Sequence, residues 1–254
     1  MTRQEMYDPR ERWLRTFHPS PAAGTELICF PHAGGAAGYW YGLSAALAPD
    51  IAVSAVQYPG RQDRRHEAPV DDLHLLADRI AAVLGGGSHR PRAFFGHSMG
   101  ASLAYEVAAR LEQTSGGGPS ALFVSGRRAP SRRRPESRFL SDDRALIDNV
   151  RSLGGTESDF LEDPEIVDMI LPALRGDYNA LAEYQDTPGT PVTCPVVALV
   201  GDEDAEASIE DMRAWQHHTT GSFRLRVFSG GHFFVIDRLS GVAELVAGLL
   251  PTPA

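Results

Sequence analysis

The amino-acid sequence predicts an α/β fold, a mostly parallel central sheet with helices on both faces, as one domain over residues 1–254. Short apolar runs rich in β-branched and aromatic residues predict strands, and segments with helical spacing lie between them. Parallel strands need a crossover of about a dozen residues or more, which this alternation provides. A length of 254 residues fits one domain built around one sheet.

The individual elements follow from the position of these runs. The predicted strands are Glu26–Phe30, Ala52–Gln57, Ala93–Phe95, Ala121–Ser125, Val196–Val200 and Arg224–Phe228. They look apolar on both faces, as a parallel sheet covered by helices requires. Apolar residues at three- and four-residue steps predict core helices over Val70–Leu84 and Ala101–Leu111.

The interval between the fourth and fifth predicted strands breaks the alternation. A structureless loop of this length is improbable in a compact domain, and amphipathic patterns predict helices over Leu140–Leu153 and Ile166–Tyr184. We expect a helical lid insertion over about residues 131–190. The alternative is an ordinary pair of packing helices, but ligands in open sheets bind beyond the carboxyl ends of the strands, where an insertion at this place would cover them.

Composition excludes several classes of partner. A net charge of −9 gives no basic surface for nucleic acid or anionic lipid. The charged N-terminal segment resembles no signal peptide, and no later run reaches the ~18 apolar residues of a membrane span, so we expect a cytoplasmic protein. We also expect a monomer. Cys29 and Cys194 lie in apolar strand-like segments, which predicts buried thiols and no metal site.

The segment around Ser98 predicts a nucleophile. An apolar strand runs into Gly96-His97-Ser98-Met99-Gly100 and then into a helix-forming stretch, which is the context of the nucleophile elbow in the α/β-hydrolase fold. Residues without a side chain are required on both sides because the turn crowds the backbone. Without that context, the five-residue pattern would fit an ordinary glycine-rich turn.

A serine hydroxyl needs an adjacent base, and this fold supplies its partners in the order serine, acid, histidine. Of the nine histidines, His217, His218 and His232 follow the last strand that could carry the acid. His217 and His218 fall in or at the end of a predicted helix, where we expect solvent exposure. His232 directly follows a strand and is the predicted base.

The acid should follow the strand Val196–Val200, where Asp202, Glu203 and Asp204 are all available. Spacing alone does not choose among them. Asp202 is nearest the strand end and suits a turn cap, whereas Asp204 lies further along a loop that can reach an imidazole. We favour Asp204, whose role would be to hold the histidine tautomer and stabilise its cation.

Two backbone N–H groups should form the oxyanion hole. One belongs to Met99, the residue after the nucleophile, and the other to the turn after the first strand, where we choose Ala33. A plain strand-to-helix turn is the alternative for that segment. His32 and His97 flank the site, and we expect them to orient local backbone without transferring protons.

Five motifs follow one another along the chain: Phe30-Pro31-His32-Ala33-Gly34-Gly35, Tyr58-Pro59-Gly60-Arg61, Gly96-His97-Ser98-Met99-Gly100, Ser125-Gly126-Arg127-Arg128-Ala129-Pro130 and Gly230-Gly231-His232-Phe233-Phe234. Together they resemble one known family, the type II thioesterases of polyketide synthase and nonribosomal peptide synthetase pathways. The resemblance covers Leu27 to Leu250, and Leu171–Tyr178 resembles the lid segment of the family.

The resemblance implies a substrate and a partner. Such enzymes hydrolyse aberrant or stalled acyl thioesters from the phosphopantetheine arm of an acyl or peptidyl carrier protein, and need no cofactor of their own. In the family the acid ends a G-x-x-D turn, which matches Gly201 and Asp204 here. The arginine-rich stretch Arg127–Arg138 departs from expectation; it could meet an acidic carrier protein, although a solvated loop is the simpler interpretation.

Other functions remain open from the residues alone. A lipase or esterase and an acyltransferase would share every catalytic feature, and a catalytically dead binding protein would keep the fold. The complete set of Ser98, Asp204 and His232 argues against a dead protein. A terminal cyclising domain is disfavoured because the chain begins with its own Met and shows no carrier segment.

Overall fold

A seven-stranded sheet forms the centre of the part of the chain that the computed structural model describes, residues 8–86, 90–115, 117–132, 142–154, 163–185 and 191–251. The strands are β1 (Leu14–Arg15), β2 (Thr25–Phe30), β3 (Ile51–Val56), β4 (Arg92–His97), β5 (Leu122–Ser125), β6 (Val196–Gly201) and β7 (Phe223–Phe228). Their spatial order is β1-β3-β2-β4-β5-β6-β7, with β1 antiparallel to β3 and every other neighbouring pair parallel. The predicted mostly parallel sheet is confirmed.

Helices connect these strands. The α-helices are α1 (Pro9–Trp13), α2 (Tyr41–Leu47), α3 (Leu73–Leu84), α4 (Met99–Ser115), α5 (Asp143–Leu153), α6 (Pro164–Glu183), α7 (Ile209–Arg213), α8 (Phe234–Asp237) and α9 (Leu239–Leu249). Short 3-10 helices cover Ala37–Trp40, Gln62–Arg64, Pro130–Arg132 and Ala214–His218. The side chain of Asp72 accepts the backbone N–H of Leu75 at 3.0 Å, which explains why α3 begins three residues later than its apolar pattern.

The sheet separates two apolar cores because successive residues of a strand point to opposite faces. Ile28 and Phe30 of β2 join the core under α3 and α4, whereas Leu27 and Cys29 join the core under α2 and α9. Helices therefore cover both faces, as the sequence predicts. Burial on both sides explains why β6 and most of β2 and β5 are apolar without alternation.

Two features of the sheet differ from the prediction. Strand β7 is not buried on both faces; each of its residues is half-buried or exposed, and the strand forms the edge of the sheet. Strand β1 was not predicted, since Leu14 and Arg15 are too few to show a periodic pattern and pair only with residues of β3.

Helices α5 and α6 lie between β5 and β6 in the chain, where the sequence predicts a lid. Leu146 and Ile147 of α5 form a separate apolar cluster with Leu174 and Tyr178 of α6. Ala33, from the turn after β2, packs against this cluster. The described part of the insertion therefore contacts the carboxyl end of the sheet. The lid boundaries near residues 131 and 190 stay a prediction. Residues 133–141, 155–162 and 186–190 of the insertion lie outside the described residues.

Candidate active site

Ser98 stands at a sharp turn between the end of β4 and the start of α4. Its φ of +54° lies in the left-handed region, which residues with a side chain seldom adopt. A Cβ on Gly96 would lie 2.1 Å from the Gly100 carbonyl oxygen, and one on Gly100 would lie 2.1 Å from the Phe30 carbonyl oxygen. The two glycines therefore permit the close backbone approach that the G-x-S-x-G pattern predicts.

His232 and Asp204 form a buried pair. His232 lies on the turn between β7 and α8, and Asp204 lies on the loop after β6. The Nδ1 atom of His232 is 2.9 Å from Oδ1 and 3.0 Å from Oδ2 of a fully buried Asp204 carboxylate. That carboxylate also accepts the backbone N–H groups of Glu206 and Ala207 through Oδ1. Its orientation is therefore fixed, so that Nδ1–H of His232 donates to it and Nε2 keeps its lone pair.

Ser98 and His232 line one cavity of about 60 Å³ together with the turn after β2 and the lid. The turn contributes Ala33 and Gly34 to this cavity. The lid contributes mainly apolar side chains: Val150, Leu153, Ile170, Leu174 and Tyr178. The space beside the serine is thus small, mainly apolar on the lid side, and bounded by the histidine that Asp204 orients.

Several backbone N–H groups near Ser98 donate to other acceptors, so they are not available to bind an oxyanion. The Ser98 N–H donates to the Ser125 carbonyl at 2.8 Å. In the turn after β2, the Gly34 N–H donates to Asp177 at 2.7 Å and the Gly35 N–H to the His32 carbonyl at 3.0 Å. These three groups are engaged elsewhere. Met99 follows the serine at the start of α4, and Ala33 lines the cavity; their role as the two donors stays a prediction.

Known proteins resemble this chain over nearly its whole length. Residues 25–250 match the family described as Thioesterase domain. The chain belongs to that family. It is 47% identical over 248 residues to the probable cadicidin biosynthesis thioesterase of Streptomyces griseus, covering 97% of this chain and 68% of that protein. It is 46% identical over 227 residues to thioesterase PikA5 of Streptomyces venezuelae, covering 89% of this chain and 81% of that protein.

A solved structure supports the same assignment. The type II thioesterase BorB from the borrelidin biosynthetic cluster matches with a TM-score of 0.86 at 45% identity, covering 93% of this chain and 96% of that one. The predicted α/β-hydrolase fold and the predicted class of enzyme, a thioester hydrolase, are confirmed by these matches.

The competing acids of the thioesterase are positioned differently from Asp204. Asp202 and Glu203 are exposed to solvent. Oδ1 of Asp202 accepts the backbone N–H of Gly230 at 2.9 Å, which ties the loop after β6 to the turn that carries His232. Asp202 therefore has the turn-stabilising contact expected of it, and Asp204 contacts the imidazole.

The other two late histidines lie apart from this pair. His217 is exposed, as predicted. The prediction of exposure was wrong for His218, which is buried; its Nε2 lies 3.0 Å from the Ser131 hydroxyl, and its ring packs edge-on against Trp215. Tyr105 and Ser131, both distant in sequence, also contact this ring and remove it from solvent, which helical position alone does not reveal.

His97 and His32 form an aromatic cluster beside His232. The ring centroids of His97 and His232 are 5.0 Å apart. Nδ1 of His97 lies 3.0 Å from the Ser125 hydroxyl, so His97 contacts a side chain, whereas we expected it to orient backbone. Burial lowers the pKa of His97 well below 6.5, and the adjacent His232 lowers it further. Burial also lowers the pKa of His32 to about 3. Both rings are neutral near pH 7, which supports the prediction that neither transfers protons.

The start of the arginine-rich stretch is not a solvated loop. Arg128 is buried, and its guanidinium donates to the Glu206 carbonyl at 2.8 Å and to the Glu206 carboxylate at 3.1 Å. Because the Glu206 N–H donates to Asp204, Arg128 supports the loop that carries the proposed acid. The expectation of a solvated stretch was therefore wrong at this position, and residues 133–138 lie outside the described residues.

Two charged residues near the site were not predicted as functional. Asp177 of α6 contacts both Arg61 and the Gly34 N–H. Arg61 belongs to the Tyr58-Pro59-Gly60-Arg61 motif, and Asp177 is an acidic residue within the otherwise apolar pattern of the lid helix. An acid on the buried face of an amphipathic helix was the available signal, but its partners are distant in sequence.

The described part of the chain has neither a metal-ligand cluster nor a membrane-spanning helix. No group of three or more histidine, cysteine, aspartate or glutamate side chains there could hold a metal ion. None of the described helices combines the length and apolar character that crossing a bilayer would require. Cys29 and Cys194 are free, buried thiols, as the sequence predicts.

Proposed function

We propose that this thioesterase is a type II enzyme that removes aberrant or stalled acyl groups from the phosphopantetheine arm of carrier proteins in polyketide or nonribosomal peptide biosynthesis. Its similarity to PikA5 and to BorB, a type II thioesterase from a biosynthetic cluster, supports the substrate class. We further propose that it acts as a cytoplasmic monomer on an acyl or peptidyl carrier protein, without a cofactor of its own and without nucleic acid or membrane as a partner.

The proposed catalytic group consists of Ser98, His232 and Asp204. The observation that carries it is the buried contact between Asp204 and Nδ1 of His232, in a site where His232 and Ser98 share one cavity. With Nδ1–H held by the carboxylate, Nε2 is the ring atom that can accept the serine proton. A serine hydroxyl is a weak nucleophile, so this assistance is required for attack.

The reaction then proceeds in two acyl-transfer steps. The Ser98 oxygen attacks the thioester carbonyl while His232 takes its proton, and the N–H groups of Ala33 and Met99 stabilise the oxyanion. The carbon–sulfur bond breaks, the pantetheine thiolate takes the proton from the imidazolium, and an acyl-serine remains. Water then attacks the acyl-serine with His232 as base, which releases the carboxylic acid and restores the serine hydroxyl.

The size of a short acyl group implies a dependence on remote contacts. Such a group carries little apolar surface that the side chains around Ser98 could bury. Binding energy must then come from the pantetheine arm and the carrier surface, and such contacts can accelerate the chemical step. We expect kcat/KM to fall from acyl-carrier protein to the same acyl group on a pantetheine mimic, and further to its p-nitrophenyl ester after correction for leaving-group reactivity.

The test uses one enzyme preparation and these three substrates, with Ser98→Ala as the matched control. The variant should lose roughly 10³- to 10⁶-fold in kcat, because only the oxyanion hole and binding remain. Corrected preference for simple esters over every carrier-bound thioester would indicate an esterase. Transfer of the acyl group to an added alcohol or amine in place of water would indicate an acyltransferase. Near-normal turnover by Ser98→Ala would contradict the catalytic assignment.

A further inference from the structure

Asp177 links the lid helix to the turn that carries Ala33. Its side chain is 1% exposed, and its Oδ2 accepts both the backbone N–H of Gly34 at 2.7 Å and a guanidinium N–H of Arg61. Arg61 is also buried, at 5% exposed, and it donates to the Pro59 carbonyl at 2.8 Å. Three segments far apart in sequence therefore meet at one carboxylate oxygen: the turn after β2, the loop after β3 and helix α6.

The same loop after β3 holds the other end of this turn. The Tyr58 hydroxyl donates to the Pro31 carbonyl at 3.0 Å, and the guanidinium carbon of Arg61 lies 5.0 Å from the centre of the Tyr58 ring. The turn is thus fixed on both sides of His32 and Ala33, by Tyr58 at Pro31 and by Asp177 at Gly34. These contacts restrict where the Ala33 N–H can point.

A purely structural role explains this arrangement poorly. A buried ion pair contributes little to stability compared with apolar side chains of similar volume, because removing both charges from water is costly. Apolar residues would serve the packing of α6 equally well. What they could not supply is an acceptor for the Gly34 N–H, and that acceptor is what Asp177 provides.

We propose that Asp177 is a positioning residue for the oxyanion hole, and that Arg61 holds its carboxylate in place to accept the Gly34 N–H. The proposal rests on the proposed function, in which the neighbouring Ala33 N–H stabilises the oxyanion. Asp177 acts through the backbone of the turn and does not touch the reacting atoms.

This arrangement couples the lid to the chemistry. Asp177 lies on α6, one turn after Leu174, whose Cδ1 would lie 2.7 Å from a Cβ placed on Gly34. Movement of α6 away from the turn would therefore withdraw both a packing neighbour and the hydrogen-bond acceptor of Gly34. The oxyanion hole has its productive geometry when α6 is seated on the turn.

The experiment compares three alterations of the pair. Asp177→Ala removes the acceptor but leaves a buried, unpaired Arg61, which threatens folding. The double substitution Arg61→Met with Asp177→Leu removes both charges and the acceptor without leaving a buried charge. Asp177→Asn keeps a carbonyl oxygen that can accept the Gly34 N–H. The measurements are kcat and KM with a small acyl-pantetheine thioester and with a carrier-bound thioester, and the melting temperature.

Tyr184→Phe is the control. The Tyr184 hydroxyl donates to the buried Glu106 carboxylate at 2.9 Å, which anchors the chain just beyond the C-terminal end of α6, away from the cavity. Its loss tests whether loosening the lid helix at any point is sufficient. We expect this variant to lower the melting temperature while leaving kcat within about threefold of the wild type, because the Gly34 contact is intact.

Asp177→Ala and the double variant should lose roughly 10- to 100-fold in kcat at similar KM, equally for both substrates, because a small misplacement of a catalytic group costs this much. Asp177→Asn should recover most of that rate. The proposal is overturned if both acceptor-free variants keep kcat within about threefold, if the loss is confined to KM of the carrier-bound substrate, or if Tyr184→Phe loses as much kcat.

Failure of the proposed function would be visible separately. Wild-type enzyme that hydrolyses thioesters without labelling of Ser98 by a fluorophosphonate contradicts the acyl-serine mechanism itself. Wild-type enzyme that is labelled at Ser98, combined with full activity of the acceptor-free variants, contradicts only the role of Asp177.

Discussion

Asp204→Asn tests how the carboxylate controls the histidine. In the native site Oδ1 accepts two backbone N–H groups while also lying 2.9 Å from Nδ1 of His232, and Oδ2 lies 3.0 Å from the same Nδ1. In the variant the amide oxygen should occupy the Oδ1 position, because only an acceptor satisfies those N–H groups. The amide NH₂ then takes the Oδ2 position facing Nδ1, which favours Nδ1 as an acceptor and the ring proton on Nε2.

An imidazole with its proton on Nε2 cannot take the proton of Ser98. We therefore expect kcat to fall by a factor on the order of 10² to 10⁴, which is the effect of the wrong histidine tautomer in a serine triad. The fold should survive because the substitution keeps the shape of the buried side chain. The assay is steady-state hydrolysis of a carrier-bound thioester, with the melting temperature measured on the same samples.

Asp202→Asn provides the matched control for this prediction. Asp202 is exposed. Within the described residues, its side chain has one hydrogen bond, which it accepts from the Gly230 N–H at 2.9 Å. An asparagine can keep that contact, so we expect a change of at most a few-fold in kcat. A greater loss in the Asp202 variant than in the Asp204 variant would refute the assignment of the acid.

Three further predictions concern packing and titration. His97 is neutral in the folded protein, but in the unfolded chain it protonates below its ordinary pKa of 6.5. Its contribution should therefore lower the free energy of unfolding by about 1 kcal/mol between about pH 7 and pH 5.5. Urea titrations of His97→Gln should show a smaller decrease of the free energy of unfolding over the same pH range. Gly100→Ala forces a Cβ to within 2.1 Å of a carbonyl oxygen of β2 and should destabilise the fold by about 2 kcal/mol or more, whereas Gly248→Ala, with no atom within 4 Å on the exposed face of α9, should be neutral or stabilising. Burial raises the pKa of Cys29, and that of Cys194 to about 12, so a thiol reagent should label neither in the native protein and both after unfolding; rapid native labelling would contradict their burial.

The long apolar runs made most of the sheet predictable. Strand β4 is longer than its predicted core, Ala93–Phe95, because His97 continues the ladder opposite Ser125, and a histidine in sequence does not signal a strand. The two residues of β1 are too few to show an alternating pattern. Strand β7 is an edge strand because only β6 pairs with it among the described strands, and the sequence of β7 does not show this. Local patterns indicate strands and helices, but neighbours in the sheet decide exposure.

The site was predictable where chain order and turns fix the chemistry. Ser98, Asp204 and His232 each follow a strand of the parallel sheet, so the carboxyl ends of the strands bring them together. The contact between Asp177 and Gly34 spans 143 residues. The burial of His218 involves Tyr105 and Ser131, which are also distant in sequence, so neither feature leaves a pattern in the local sequence. Arg128 likewise is buried against the loop after β6, a contact that the arginine-rich sequence around it does not indicate.

The central claim is that the acyl group passes through Ser98. The most direct measurement mixes excess enzyme with a carrier-bound acyl thioester, stops the reaction with acid at millisecond times, and maps the acyl group by mass spectrometry of peptides. We predict a transient acyl adduct on the peptide containing Ser98 that decays as free acid appears and is absent from Ser98→Ala. Turnover without acylation of Ser98, or an adduct on another residue that decays at the rate of turnover, would contradict the account.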